Sequence, residues 1–529
     1  MSTDNAPALR PTGFGPLELD DRPITRRDLQ FAPFEIEGAS QIWVRDLALG
    51  QTHILSMHEI DVLSAMNGER SFREIFDDIR SRFVVDDGPL AQFCERLEWK
   101  FLILTLRNRD AFEKMQRWNK LKNKPKRHQY RRVPARDVLD GPFVIDPELR
   151  HDCLHSGHCC RQYAIVLTDD KLATLKKHRF ETLPAERPSE FSDPSPPKEG
   201  EPQTHVLKRT EGDWCHFHVN DRCAVHAELG AAAKPIPCRL FPIDVIYTPQ
   251  GIRPFLLHEC ATQHRTFASG TPIAERQEEL RATLRAEPQM VLRATPESVY
   301  LLESLKVSYE AYRMLAWRMG RELEPSARPD RWWEKNAAIW SGLKSWYESS
   351  DEVAWPTLID GIAETPHEPD AARRCSAAAS IAVSLCEVVT MLALLHKWKL
   401  VRNLNSEYVR LDRFQSLLEG LVERLRDGQW PTLDAERDET AAYLRRFLHN
   451  HLDSHQALYY PTASDGFAVL RLLWICVATS VEASADEGLD ELALVHRELA
   501  WWLTLFRFDE VRAALSDLPS AETEALLEC

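Results

Sequence analysis

Seven cysteines packed into little more than a hundred residues constrain this chain more than any other feature. Cys153, Cys159, Cys160, Cys215, Cys223, Cys238 and Cys260 all lie between positions 153 and 260 of 529. The other five (Cys94, Cys375, Cys386, Cys476, Cys529) are dispersed, and most sit in apolar helical patterns where cysteine serves as a small core residue. Clustered thiols become disulfides in an oxidising compartment and metal ligands in a reducing one. The first sixteen residues lack a basic-then-apolar signal layout. The expected compartment is therefore the cytoplasm, and the expected use of the cluster is metal ligation.

The local contexts sharpen that reading. CLHSGHCCRQYAIVLT places Cys153, a glycine turn at Gly157 and the adjacent pair Cys159–Cys160 before a strand over Tyr163–Leu167, with Thr168 as the N-cap of a following helix. WCHFHVNDRCAVH reads as two short strands joined by an Asn-Asp turn, a knuckle carrying Cys215 and Cys223. KPIPCRLFP holds Cys238 in a proline-constrained loop, and Cys260 closes the set. In an extended chain Cys159 and Cys160 point to opposite sides, so either one is a spare ligand or the site holds a cluster or a second metal. Seven thiols exceed what one tetrahedral zinc uses, whereas four hold an iron–sulfur cluster. The excess favours a 4Fe–4S cluster, and spacing alone leaves zinc open. Nearby stand His155, His158, His216, His218, His226 and His258, each on its own a polar residue rather than a ligand. Arg161 and Arg239 flank cysteines and are candidates to offset thiolate charge or to hold an anionic cofactor or substrate; the plainer alternative is a local salt bridge.

The rest of the chain is organised around this region. Residues 1–30 read as disordered or extended. Residues 31–108 read as a small domain with strands at Gln41–Val44 and Thr52–Leu55 and a helix near Met57–Met66 ending at Asn67-Gly68. A second helix is opened by a capping box of Ser71 and Glu74, with Phe72, Ile75, Phe76, Ile79 and Phe83 on its apolar face. A third starts at Pro89, with Leu90, Phe93, Leu97 and Phe101 along one side. Residues 109–137 read as a basic connector: between Arg107 and Asp137 there are twelve Lys or Arg against three acids. Residues 138–270 form the cysteine-rich domain, interrupted by Leu183–Gln203, whose six prolines predict a disordered-like insertion. Residues 271–529 read as helical throughout, with Trp333, Trp340 and Tyr347 on one helix face and central helices at Leu385–Leu395 and Phe467–Val481. The longest apolar run, Cys375–Leu395, has Glu387 at its middle, which favours a buried helix over a membrane span.

The net charge of −15 disfavours bulk nucleic-acid binding. Glycine is scarce, at 20 residues, and neither GxGxxG nor GxxxxGK[ST] occurs, so no phosphate loop is expected.

Two resemblances follow from these residues. The stretch holding MNGERSFREIFDDI and the closing LEWKFLI resembles the PqqD-like fold, the peptide-recognition element of ribosomal-peptide maturation systems. That likeness implies a leader peptide added as an extra strand to a sheet edge of residues 31–108. The pattern of Cys153, Gly157, Cys159, Cys160, Cys215, Cys223, Pro235, Cys238, Arg239, Phe241, Pro242 and Cys260 is similar to the zinc- or iron-chelating cysteine-cluster family, which includes the flagellin lysine-N-methylases. AAYLRRFLHNHL and LVHRELAWWL are similar to the helical tail of that branch. The likeness spans about residues 150–510 and implies a metal centre and, in the methylase branch, methyl transfer from S-adenosylmethionine to protein lysines.

The expected fold class is α+β in the N-terminal half, a PqqD-like winged-helix domain and a small cysteine-rich metal domain, followed by a mainly α-helical C-terminal region. The expected function is metal-dependent modification of a peptide or protein, lysine methylation or ribosomal-peptide maturation. The competing readings are a non-catalytic zinc protein that binds a partner, and an iron–sulfur redox sensor or carrier.

Overall fold

The computed structural model describes residues 17–36, 39–49, 51–83, 85–123, 129–154, 156–157, 159–162, 165–194, 204–210, 214–220, 222–286, 290–323, 328–349, 355–362, 371–397, 411–433 and 437–528. The chain is α+β, with several small sheets and a long helical stretch. It divides into two compact units, residues 1–125 with 387–402 and residues 126–386 with 403–529.

The first unit is built on a meander of three antiparallel strands, Leu29–Ile36, Ala39–Asp46 and Gln51–Ser56. The two strands expected from sequence are the second and third, each longer than read. The first strand begins inside the segment read as disordered or extended. Three helices follow. Met57–Ser64 is opened by a capping box of Ser56 and Glu59, and Phe72–Arg82 by the expected box of Ser71 and Glu74. Asp87–Trp99 is the third. Phe72, Ile75, Phe76 and Ile79 face the core with Val44, Leu63 and Leu97. Phe83, expected on that face, stands at the extended C-cap and is exposed.

A buried charge network ties this unit together. Arg26, almost fully buried, donates to Asp46 at 2.6 and 2.7 Å, to Asp28 at 2.6 and 3.0 Å and to the Phe101 carbonyl at 3.0 Å. Its guanidinium also lies 4.2 Å from the Phe112 ring centre. Asp46 has no exposed side-chain surface and also accepts from the Leu49 amide at 2.9 Å. Burying such a pair is tolerable only because nearly every donor and acceptor is met.

The second unit holds a four-stranded mixed sheet in the order Gly251–Leu256, Ile243–Thr248, Val291–Ala294, Arg131–Pro134. The second and third strands run parallel and the other pairs antiparallel. Two expectations are corrected here. The C-terminal stretch after residue 270 is not helical throughout, because Val291–Ala294 pairs inside this sheet and Ser298–Tyr300 pairs with Lys306–Ser308. The basic stretch is not simply helix and linker: Arg109–Asn123 is helical, and Arg131–Pro134 supplies an edge strand. An edge strand leaves one side of its backbone unpaired, and the adjacent Arg131 and Arg132 on it are exposed.

A second, three-stranded sheet joins Val166–Thr168, Thr204–Leu207 and Ser192–Pro194. The last lies within the proline-rich insertion, and Phe191 and Leu183 pack into the same core. The described part of that insertion, up to residue 194, is therefore anchored rather than disordered-like; residues 195–203 lie outside the described residues.

The remaining chain is a helical array around Ala463–Ala483, which is buried from Ala463 to Ser480. Among the described residues it is the one helix long and apolar enough to cross a membrane, and 83% of its apolar window is covered by protein. Arg471, in the middle of the central helix, donates to the carbonyls of Leu526 and Leu527 at 2.8 and 3.1 Å. A buried cation at the C-terminal end of the Ser520–Glu528 helix complements the negative end of its dipole. Trp333 and Trp340 are buried as the helical spacing predicts, whereas Tyr347 is exposed.

Candidate metal centre

Five of the seven clustered cysteines border one cavity of about 350 Å³ in the second unit: Cys159, Cys160, Cys215, Cys223 and Cys238. They arrive on three segments. Gly157, at φ +70°, turns the chain so that the Cys160 amide donates to the Gly157 carbonyl at 2.8 Å and a single helical turn, Cys159–Gln162, begins. Only glycine fits that turn: a Cβ there would stand 2.6 Å from His218 Nε2. The helical turn corrects the extended geometry read for Cys159 and Cys160. Both face the same cavity, and the Cys160 thiol donates to Cys159.

The knuckle is as the sequence predicts. His218–Val219 pairs with Arg222–Cys223, and Asn220 takes a left-handed conformation in the turn. Its first arm is tied to the cysteine pair, since the Cys215 amide donates to the Cys160 carbonyl at 2.9 Å. Cys223 is the N-cap of the Ala224–Leu229 helix. Cys238 lies in a five-residue helix, Ile236–Leu240, rather than in a loop. Prolines at 235 and 237 fall at the start of that helix, where a missing N–H costs nothing, so the motif encodes a helix start.

The two remaining cysteines do not border the cavity. Cys153 is exposed, and Cys260 is buried with its sulfur 3.6 Å from Thr262 Oγ1. His155 and His158 lie outside the described residues. His216 packs against Phe191 and Phe217, His226 is exposed, and His258 packs against Tyr443 and Phe447. His218 stacks on Trp214 with ring centres 4.0 Å apart, close against Gly157.

The arginines expected to serve the thiols do not border the cavity. Arg161 lies 3.8 Å over the Trp214 ring, and Arg239 donates to Thr283 Oγ1 at 2.8 Å. The cation on the cavity wall is Lys234, the first residue of the same KPIPCRLFP motif. Sequence reasoning passed over it because a lone lysine carries no spacing signal.

Electrostatics differ among the thiols. The hydrogen bond from Cys160 lowers the Cys159 thiol below the usual thiol range, with burial opposing and Lys234 assisting. Donating that bond raises Cys160 instead, and burial adds to it. Burial raises Cys215 and Cys260 to about 11 and pushes Cys238 up as well. The rest of the wall is mostly apolar, with Ile165, Leu207, Phe217 and Leu257 among its residues, and carries one carboxylate, Asp244, which pairs with Arg293.

No family model, characterised protein or solved structure matches the chain. Any metal must therefore be judged on the donors themselves. Five soft sulfur donors around one apolar cavity fit a thiophilic metal or an iron–sulfur cluster by donor chemistry. As the side chains stand, no group of three or more His, Cys, Asp or Glu among the described residues converges to hold an ion. The fit is one of donor type and proximity, and ligation would require the thiols to turn into the cavity.

Proposed function

We propose that this chain is a thiolate metalloprotein that modifies a peptide or protein. The observation that carries the reading is the gathering of five thiols from three sequence segments around one cavity. Cys159, Cys160, Cys215, Cys223 and Cys238 would hold a 4Fe–4S cluster, or else zinc. The cluster supplies or accepts an electron, and zinc polarises a bound oxygen. The chain's own part is to exclude water through the apolar wall and to keep one positive charge, Lys234, at the thiols, where it offsets thiolate charge.

The peptide side of the reading rests on the first unit. Its three-stranded sheet has two edge strands, Leu29–Ile36 and Gln51–Ser56. Trp43 and Ile54, directly opposite in register, are each about half exposed on its outer face. An open edge beside exposed apolar side chains suits an extended peptide that pairs through its backbone and seats alternate side chains. This supports a PqqD-like role for residues 31–108, with the cysteine-cluster likeness pointing to lysine methylation from S-adenosylmethionine in a reducing, cytoplasmic setting.

The test is the metal content of the full chain purified without oxygen. Four irons and four acid-labile sulfides per chain, lost in both Cys215→Ser and Cys238→Ser, are expected for the cluster. One tightly held zinc and no colour would replace the cluster by the zinc protein that only binds a partner. A cluster that cycles electrons without altering any peptide would leave the redox carrier. Metal-free protein that takes up neither iron nor zinc would overturn the reading altogether.

A further inference from the structure

A much smaller cavity, of about 10 Å³, lies in the same unit where the helical array meets the end of the Gly251–Leu256 strand. It is bordered by His258 and Glu259, which follow that strand, by Asn450 and His451 of the Asp438–Asp453 helix, and by Arg507 just past the Glu491–Phe506 helix. Both histidines are more than nine-tenths buried, and the Nε2 of each has no hydrogen-bond partner among the described residues. Asn450 does not serve them. Its side-chain amide is spent on the Leu256 backbone, accepting from the N–H at 2.9 Å and donating to the carbonyl at 2.7 Å. Two unmet polar atoms on the wall of one small cavity call for a shared partner.

Burial holds His258 and His451 down at about 3, so each ring is neutral, with one N–H and one bare nitrogen. His258 Nδ1 lies 3.3 Å from Tyr443 Oη, which also bonds His496 Nδ1 at 2.6 Å. Tyr443 has one proton to give, so it donates to one of these rings and accepts from the other. His258 Nε2 is accordingly a donor in one arrangement and an acceptor in the other. A metal ion meets only bare nitrogens, and an anion meets only N–H groups. The charges on the wall favour neither ion, because Glu259 and Arg507 pair with each other.

We propose that this cavity binds a single water, which bridges His258 Nε2 to His451 Nε2. A water needs roughly 10–15 Å³ of such space and two to four polar partners. The cavity is of that size, and Gln456 and the Glu259 carboxylate stand on its wall beside the two rings. Water both donates and accepts, so it satisfies His258 in either arrangement. It completes a hydrogen-bonded chain from His496 through Tyr443 and His258 to His451, which ties the end of the Gly251–Leu256 strand to two helices of the array. The inference does not use the thiol cavity, with which this one shares no bordering residue.

The test is a crystal structure of the full-length protein fine enough to show ordered waters, joined to water relaxation dispersion, which counts long-lived internal waters in solution. One water is expected at hydrogen-bond distance, about 2.7–3.2 Å, from both Nε2 atoms. His258→Leu and His451→Leu should each lose one long-lived water, and the double variant should lose that same one rather than two. Should the variants fail to fold, the density in the wild-type cavity decides by itself. A cavity without density, a peak with the anomalous signal of a metal, or either Nε2 bonded directly to a protein group would each overturn the proposal. So would folded variants that keep the wild-type number of long-lived waters, or whose losses add.

Discussion

The two units of this chain hold polar groups inside with a different emphasis. The first buries the ion pair of Arg26 with Asp46, satisfied from several sides, and pairs buried Glu98 with Arg107. The second also buries paired carboxylates, Glu498 with Arg413 and Glu259 with Arg507, and adds a set of neutral imidazoles. His451 and His455 are held at about 3 by burial, and Tyr309 Oη and His455 Nε2 share a hydrogen bond of 2.9 Å. An ion pair fails when either partner is removed, whereas a neutral buried imidazole fails when it is forced to take a proton. The units should therefore break under different insults.

Four experiments break or sharpen that contrast, from the largest expected effect to the smallest. Asp46→Ala removes the fully buried partner of Arg26 and leaves it only the partly exposed Asp28, which costs about 3 kcal/mol. Amide exchange should accelerate across residues 24–105 and stay unchanged in the Ile243–Leu256 hairpin. Equal acceleration in both would show that the units do not respond separately.

Acid should strike the second unit first. An unfolded imidazole titrates near 6.5, whereas His451 and His455 hold off protons until about pH 3. Because the unfolded chain takes up protons that the folded chain refuses, this stability is full above the unfolded pKa and is lost as pH falls below it. The loss reaches on the order of a few kcal/mol by pH 5. The first unit carries one such group, His53, held at about 4. Exchange measured from pH 7 to pH 4.5 should show the helices around Asp438–Asp453 opening ahead of the N-terminal sheet; the reverse order would sink the explanation.

Gly157→Ala tests the cysteine turn. The left-handed conformation costs an alanine about 1–2 kcal/mol, and its Cβ also collides with His218. Cys159 and Cys160 should become more reactive to thiol reagents, and metal uptake should fall. Ser71→Ala removes the Oγ that accepts from the Glu74 amide and leaves the Ser71 amide donating to the Glu74 carboxylate, at a cost of about 1 kcal/mol, seen as a lower unfolding temperature of the first unit. No change would mean that Glu74 alone satisfies the first turn.

The same contrast explains what could be read in advance. The Ser71 capping box, the Thr168 N-cap and the Asn-Asp knuckle were legible because each is completed within three or four residues. The strand at Leu29–Ile36 was missed because its reason to form, pairing with Ala39–Asp46, lies outside its own residues. Val291–Ala294 was taken for helix for a related cause: its neighbours in the sheet come from Ile243–Thr248 and Arg131–Pro134, far away in the chain.

The cysteine site divides along that line too. The sequence by itself determined which residues carry the sulfur chemistry and where the chain must turn, since glycine at 157 and proline at 235 act on their own backbone. Tertiary structure alone decided which thiols meet. It brought five to one cavity, left Cys153 at the surface and Cys260 beyond the wall, and put Lys234 rather than Arg161 or Arg239 on that wall. Backbone preference is local and travels with the residue, whereas convergence depends on how the chain closes between segments tens of residues apart.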